Sequence, residues 1–214
     1  MERLVKKEGT AELAGGILTA AAFWFVMFSP WTKDYVNFWT GMVAATGAIT
    51  AYSLWFGRKG LKEIYRFDFK SLLIGLCAAA ALYGVFWAGN EISRLLFDFT
   101  DRQVMSIYGT KSQAGKLFIG AFLLLWIGPS EEIFWRGYVQ TLMSRKFGKW
   151  QGYFLTAAVY ALVHIWSFNF MLIMAALVCG LFWGWMYLHY RNVVPCLISH
   201  AVWDLVIFII IPIT

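Results

Sequence analysis

The sequence predicts an all-α fold, a polytopic membrane helix bundle with about seven (seven to eight) transmembrane helices, and three observations carry that reading. Hydrophobic residues make up 60% of the 214 and charged residues only 14%, which is more apolar surface than a water-soluble domain can cover with polar groups. Apolar runs of spanning length recur from end to end and leave no stretch for a separate globular unit, so residues 1–214 read as a single integral membrane domain. Lys and Arg gather in alternate connections between those runs, the distribution that orients a chain across a bilayer.

In order along the chain, Arg3, Lys6 and Lys7 precede an apolar run from Leu13 to Phe28 that resembles a signal peptide. Its small residues Ala20 and Ala22 lie inside the run and not after it, which favours retention as a first span. A second span covers Val36 to Phe56 and a third Ser71 to Leu96. Between them Arg58 to Lys70 alternates cations with apolar residues, as an interfacial loop does. Asp98 to Gln113 is the longest polar connection; without strong periodicity it is expected as a loop covering the other face. The fourth run, Gly115 to Met143, is too long for one ordinary span and contains Pro129 and three charges, so a kinked helix whose second half faces protein is expected. Trp150 to Trp166, Phe168 to Tyr190 and Val193 to Ile211 complete the set. Gly180 and Gly184 form a GxxxG in the sixth span, read as packing. Cys77, Cys179 and Cys196 lie in apolar stretches without metal-ligand spacing and read as small buried hydrophobes.

A net charge of +6 does not imply nucleic-acid binding when the cations sit in short inter-span connections. One set of connections holds Arg3, Lys6, Lys7, Arg58, Lys59, Lys62, Arg66, Lys70, Arg145, Lys146, Lys149 and Arg191, and the other only Lys33, Arg102, Lys111 and Lys116. A multi-pass protein of the cell membrane with a cytoplasmic amino terminus follows from that imbalance.

Ionisable groups inside a span cost several kcal/mol and require a partner or a purpose. Glu91 and Arg94 pair three residues apart near a helix end, and His189 borders a connection beside Arg191; both have structural explanations. Glu132 and Arg136 stand four apart in the favourable order for a helical ion pair. Glu131 is then left without a cation on its own turn, pointing about 100° away. A lone buried carboxyl has the properties of a general acid or base.

Depth sharpens the point. Glu131 lies 14 residues from Arg145 and His164 14 from Trp150, each roughly 21 Å into the bilayer; His200 and Asp204 reach roughly 14 and 20 Å from Arg191. Four polar groups on three helices therefore share one layer, and His200 and Asp204, spaced i and i+4, share a face.

The strings involved are Glu131-Glu132-Ile133-Phe134-Trp135-Arg136, Tyr160-Ala161-Leu162-Val163-His164 and His200-Ala201-Val202-Trp203-Asp204. They resemble the signature of the CAAX protease and bacteriocin-processing (CPBP, Abi) family of glutamate intramembrane proteases, in which EExxxR, FxxxH and HxxxN or HxxxD follow one another on successive helices. The resemblance covers residues 115–214, with Tyr160 in place of the usual Phe and Asp204 where the prenyl-protein endopeptidase branch has Asn. It implies an intramembrane endopeptidase acting on a membrane-associated protein or peptide in the lipid bilayer. Glu131 would activate a water, His164 would assist, His200 and Asp204 would hold the oxyanion, and Glu132 and Arg136 would support the site. An ionised Asp204 fits an oxyanion hole less well than Asn, so orienting His200 is its favoured task. No metal and no cofactor are implied. Two alternatives stay open: Glu131, His164, His200 and Asp204 are acceptable zinc ligands, and a non-catalytic immunity factor or adaptor could keep the same scaffold.

Overall fold

The computed structural model describes residues 2–57 and 64–213, with side chains from residue 9 onward. Its helices are α1 (Glu2–Phe28), α2 (Phe38–Gly57), α3 (Phe69–Leu96), α4 (Thr100–Tyr108), α5 (Lys116–Phe147), α6 (Lys149–Leu162), α7 (Phe170–Tyr190) and α8 (Val194–Ile210), and no strand occurs among the described residues. Gly9–Phe28, Phe69–Leu96, Lys116–Phe147 and Phe170–Tyr190 are long and apolar enough to cross a bilayer, and Val194–Ile210 is a shorter apolar helix. The architecture is a polytopic membrane helix bundle, and each of the seven apolar runs of the sequence contributes one helix.

Three elements depart from their sequence reading. Asp98 to Gln113 is not a loop but α4 followed by a 3₁₀ turn, Gly109–Gln113. It does lie across one end of the bundle: Asn169 Nδ2 donates to Gln103 O, Trp39 Nε1 to Thr110 O and Tyr108 Oη to Ile207 O, all within 3.0 Å. The span expected to reach Trp166 stops at Leu162; Val163 and His164 form a turn before the 3₁₀ segment Ile165–Ser167. Cys77 is exposed on α3, whereas Cys179 and Cys196 are buried as expected.

Along α5 the expected kink takes the form of two π-helical stretches, Leu123–Ile127 and Ile133–Gln140, on either side of Gly128–Glu132. Pro129 has no N–H, and its ring would strike the carbonyl four residues before it. The widened turn closed by Gly128 N–H to Leu123 O makes room for it. From Glu131 to Gln140 every residue except Ile133 is buried, so the second half of α5 does face protein.

Close backbone approaches fix how α5 to α8 pack. A Cβ on Gly128 would lie 3.0 Å from the Cα and N of Ala201, and one on Gly180 3.1 Å from the Cα of Ala157. Glycine is what permits α5 to touch α8 and α7 to touch α6 there. The parallel pair α3 and α8 meets through Gly75 against Ile198 and Phe86 against Trp203, whose ring centroids are 4.7 Å apart.

Apart from the buried Arg136, the described cations separate to the two ends of the bundle. At one end Lys146 Nζ reaches Thr10 Oγ1 at 2.6 Å, Trp150 packs on His189, and the stretch Ile64 to Asp68 is pinned to the α7–α8 turn by Val193 N–H to Ile64 O and Asn192 Nδ2 to Arg66 O. Residues 58–63 of the expected interfacial loop lie outside the described residues. Its remainder exposes Phe67 and Phe69 beside Arg66 and Lys70. At that end Asp68 caps α3 by accepting from Ser71 N–H, which holds its carboxyl below the usual range. The α4 end carries Lys33, Arg102, Lys111 and Lys116.

Candidate active site

Glu131 and Glu132 occupy the short α-helical stretch between the two π turns of α5, the kind of irregularity that often marks a functional site. Adjacent on the helix, they diverge. Glu132 is fully buried, and its Oε1 accepts from Arg136 Nη1 at 2.8 Å and from His200 Nδ1 at 2.9 Å. Arg136 is equally buried, donates from Nη2 to the carbonyls of Cys179 and Gly180, and lies between the rings of Tyr160 and Trp183 at 5.0 and 5.5 Å. The expected ion pair is present, and its second branch ties α5 to α7.

His200 is therefore clamped. Glu132 holds Nδ1, the Trp183 ring stacks on the imidazole at 3.9 Å, and Trp183 is itself fixed by Nε1–H to Ser199 Oγ at 3.0 Å. The tight contact of Gly128 with Ala201, the next residue, brings the ring to Glu132. Asp204 Oδ2 stands 3.5 Å from His200 Nε2, at the outer limit of a hydrogen bond. Glu132 is thus the closer partner of the His200 ring, a bond the sequence did not suggest, and Asp204 stands opposite the other nitrogen.

Glu131 has no cation partner among the described residues. Its Oε2 accepts from the Tyr160 hydroxyl at 2.9 Å, and the side chain is buried against a cavity. Tyr160 belongs to α6 and also accepts, through its backbone carbonyl, from His164 Nδ1 at 2.9 Å. The other imidazole nitrogen of His164, Nε2, accepts from Trp24 Nε1–H of α1 at 2.9 Å. An indole only donates, so His164 here is a neutral imidazole with its proton on Nδ1. The ring sits in the turn past α6 and not within a helix, held at both nitrogens.

All four groups line one cavity of about 520 Å³ at the α4 end of the bundle. Glu131, Tyr160, His164, His200 and Asp204 form its polar floor, and its walls are mostly apolar, from Phe86 and Trp203 to Ile107 and Phe208. One polar side chain of the wall, Asn90 of α3, is buried with its amide nitrogen unpaired. A carboxylate and an imidazole at the floor of a mostly apolar cavity can together activate a water. Among the described residues no three His, Cys, Asp or Glu side chains group as a metal-binding set, and His164 offers no free nitrogen lone pair.

Sequence reasoning did not find Trp24, Trp183 or the bond from Glu132 to His200. Trp24 lies more than a hundred residues from the motifs and is one of 12 tryptophans, so nothing marked it. Tyr160 was visible as a departure from the motif, and its hydroxyl proves to be the direct partner of Glu131.

Residues 113–206 match the family described as type II CAAX prenyl endopeptidase Rce1-like. No curated protein and no solved structure matches the chain. The matched residues include all three motifs and every polar group of the cavity floor, while Trp24 and Asn90 lie outside them. Through this segment, which runs from α5 into α8, the chain is similar to the CAAX prenyl endopeptidases.

Proposed function

We propose that the protein is a glutamate-dependent intramembrane endopeptidase that cuts a membrane-associated protein or peptide, near the substrate's carboxyl terminus. The observation that carries this reading is Glu131: among the described residues it is a buried acid with no cation partner, facing a cavity shared with two imidazoles. Glu132 does not take the same role: its Oε1 is committed to Arg136 and His200, and its side chain does not line the cavity.

In the proposed reaction a water enters beside the Glu131 oxygen that Tyr160 does not occupy. Glu131 takes a proton as the water oxygen bonds to the scissile carbonyl carbon, then returns it to the amide nitrogen as the carbon–nitrogen bond breaks. His200, protonated on Nδ1 toward Glu132, carries a second proton on Nε2 and donates it as a hydrogen bond to the carbonyl oxygen as negative charge develops. Asp204 keeps that second proton on the ring and does not face the oxyanion itself. His164 assists by exchanging its bond from Trp24 for one from the water. No metal takes part.

The test uses the purified protein in chelator-treated proteoliposomes with a panel of quenched tail peptides, some farnesylated on a cysteine fourth from the end and some unmodified. Cleavage by the wild type should survive chelation, and Glu131→Gln should lower it by about 10²- to 10⁴-fold, the usual worth of a general base. Turnover by Glu131→Gln within a few-fold of wild type overturns the proposal, and so does loss of wild-type activity on chelation. Failure of the folded protein to cut any peptide points to the immunity or adaptor role.

A further inference from the structure

The motif position filled by Tyr160 ordinarily carries Phe, as the resemblance has it, and a ring without a hydroxyl could do no more than pack. Here the ring packs against Trp135 at 5.1 Å and Arg136, but the hydroxyl is aimed at the carboxylate of Glu131 and the backbone carbonyl at the ring of His164. One residue thus holds both groups assigned to the water. The side chain is buried, α6 ends two residues later, and His164 follows at once in the turn.

We infer that Tyr160 is a positioning residue for catalysis: its hydroxyl occupies Oε2 of Glu131, fixes the carboxylate plane, and leaves Oε1 as the oxygen that meets the water. The inference rests on the proposed role of Glu131. A carboxylate on a side chain with three rotatable bonds otherwise samples orientations in which neither oxygen faces the carbonyl, and misplacement by about 1 Å can lower a rate by roughly 100-fold. A partner on one oxygen and a cavity at the other make the choice of oxygen definite. Arg136 lies over the face of the Tyr160 ring and limits its rotation.

Two readouts test this, one of them independent of substrate. In detergent-solubilised protein, the infrared band of Glu131 is identified by its loss in Glu131→Gln. Tyr160→Phe should shift that band, and 4-aminophenylalanine at position 160, which restores a donor, should move it back toward the wild-type frequency. With whichever tail peptide the wild type cuts, Tyr160→Phe should lower kcat by about 10- to 100-fold with KM within about two-fold, and the aminophenylalanine variant should recover part of the loss. Tyr153→Phe is the control; it removes a hydroxyl of the same helix that bonds the Leu181 carbonyl away from the cavity and should leave kcat unchanged. An unshifted Glu131 band, or kcat of Tyr160→Phe within two-fold of wild type, overturns the inference. If Tyr160→Phe is fully active while Glu131→Gln is dead, Tyr160 is refuted and the role of Glu131 stands; if Glu131→Gln is active, the parent proposal falls.

Discussion

Two adjacent glutamates divide the work of one site because a helix turns about 100° between them. Glu132, with Arg136 and His200 on a single oxygen, builds the scaffold, and Glu131 faces the cavity. That division was legible from the spacing of the three residues. The fate of Asp204 was not, since no spacing rule says which of two acids a histidine on another helix will reach. In the proposed reaction Asp204, 3.5 Å from Nε2, keeps a proton on His200, and the amide oxygen of an Asn there can accept from the same N–H. Asp204→Asn should therefore hold peptide cleavage within about ten-fold of wild type, whereas Asp204→Leu, which offers neither, should lose about 10² to 10³ in kcat. Equal loss in both variants would assign the carboxylate itself an essential task.

At the level of helices, the apolar runs and the charges between them delimited seven of the eight and put the motifs in α5, at the end of α6 and in α8, although His164 falls in the turn past α6 and α7 separates the last two. Two things escaped. A run such as Thr100 to Tyr108, polar on one side and covering the bundle end with the other, carries too few apolar residues to announce a helix; tertiary bonds from Asn169, Trp39 and Tyr108 hold it. The early stop of α6 is set by the turn that delivers His164 to Trp24 and not by any Gly or Pro. The contact of α5 with α8 depends on Gly128, where even a methyl would press on the Ala201 backbone at 3.0 Å. Gly128→Ala should destabilise the protein by about 1–3 kcal/mol, read as a lower unfolding temperature in detergent, and should weaken cleavage further by moving His200. Gly84→Ala on α3, with nothing within 4 Å, should leave both unchanged. A Gly128→Ala protein as stable and active as wild type would show that the two helices have slack there.

Over the whole molecule, the bundle gathers its described cation-rich connections at one end and places the cavity at the other, beneath α4. We propose that the cation-rich end faces the cytoplasm, so that a substrate would meet the site from the outer half of the bilayer. In intact cells with Cys77→Ser as background, a membrane-impermeant maleimide should label Ser112→Cys at the α4 end, and should label Lys149→Cys only after permeabilisation; the reverse pattern would invert the orientation. The composition foretold the solvent, but not that Trp24 of α1 would bond to His164 beside a cavity whose motifs all lie in α5 to α8, because pairing across the bundle leaves no periodic trace. In the proposed reaction a tetrahedral centre forms beside Glu131. The most direct measurement is an experimental structure with a tail-peptide aldehyde, whose hydrate imitates that centre. One hydrate oxygen should lie within hydrogen-bond distance, about 2.6–3.2 Å, of the Glu131 carboxylate, with the other near His200 Nε2. A hydrate bound elsewhere in the cavity, with Glu131 still turned only to Tyr160, would contradict it.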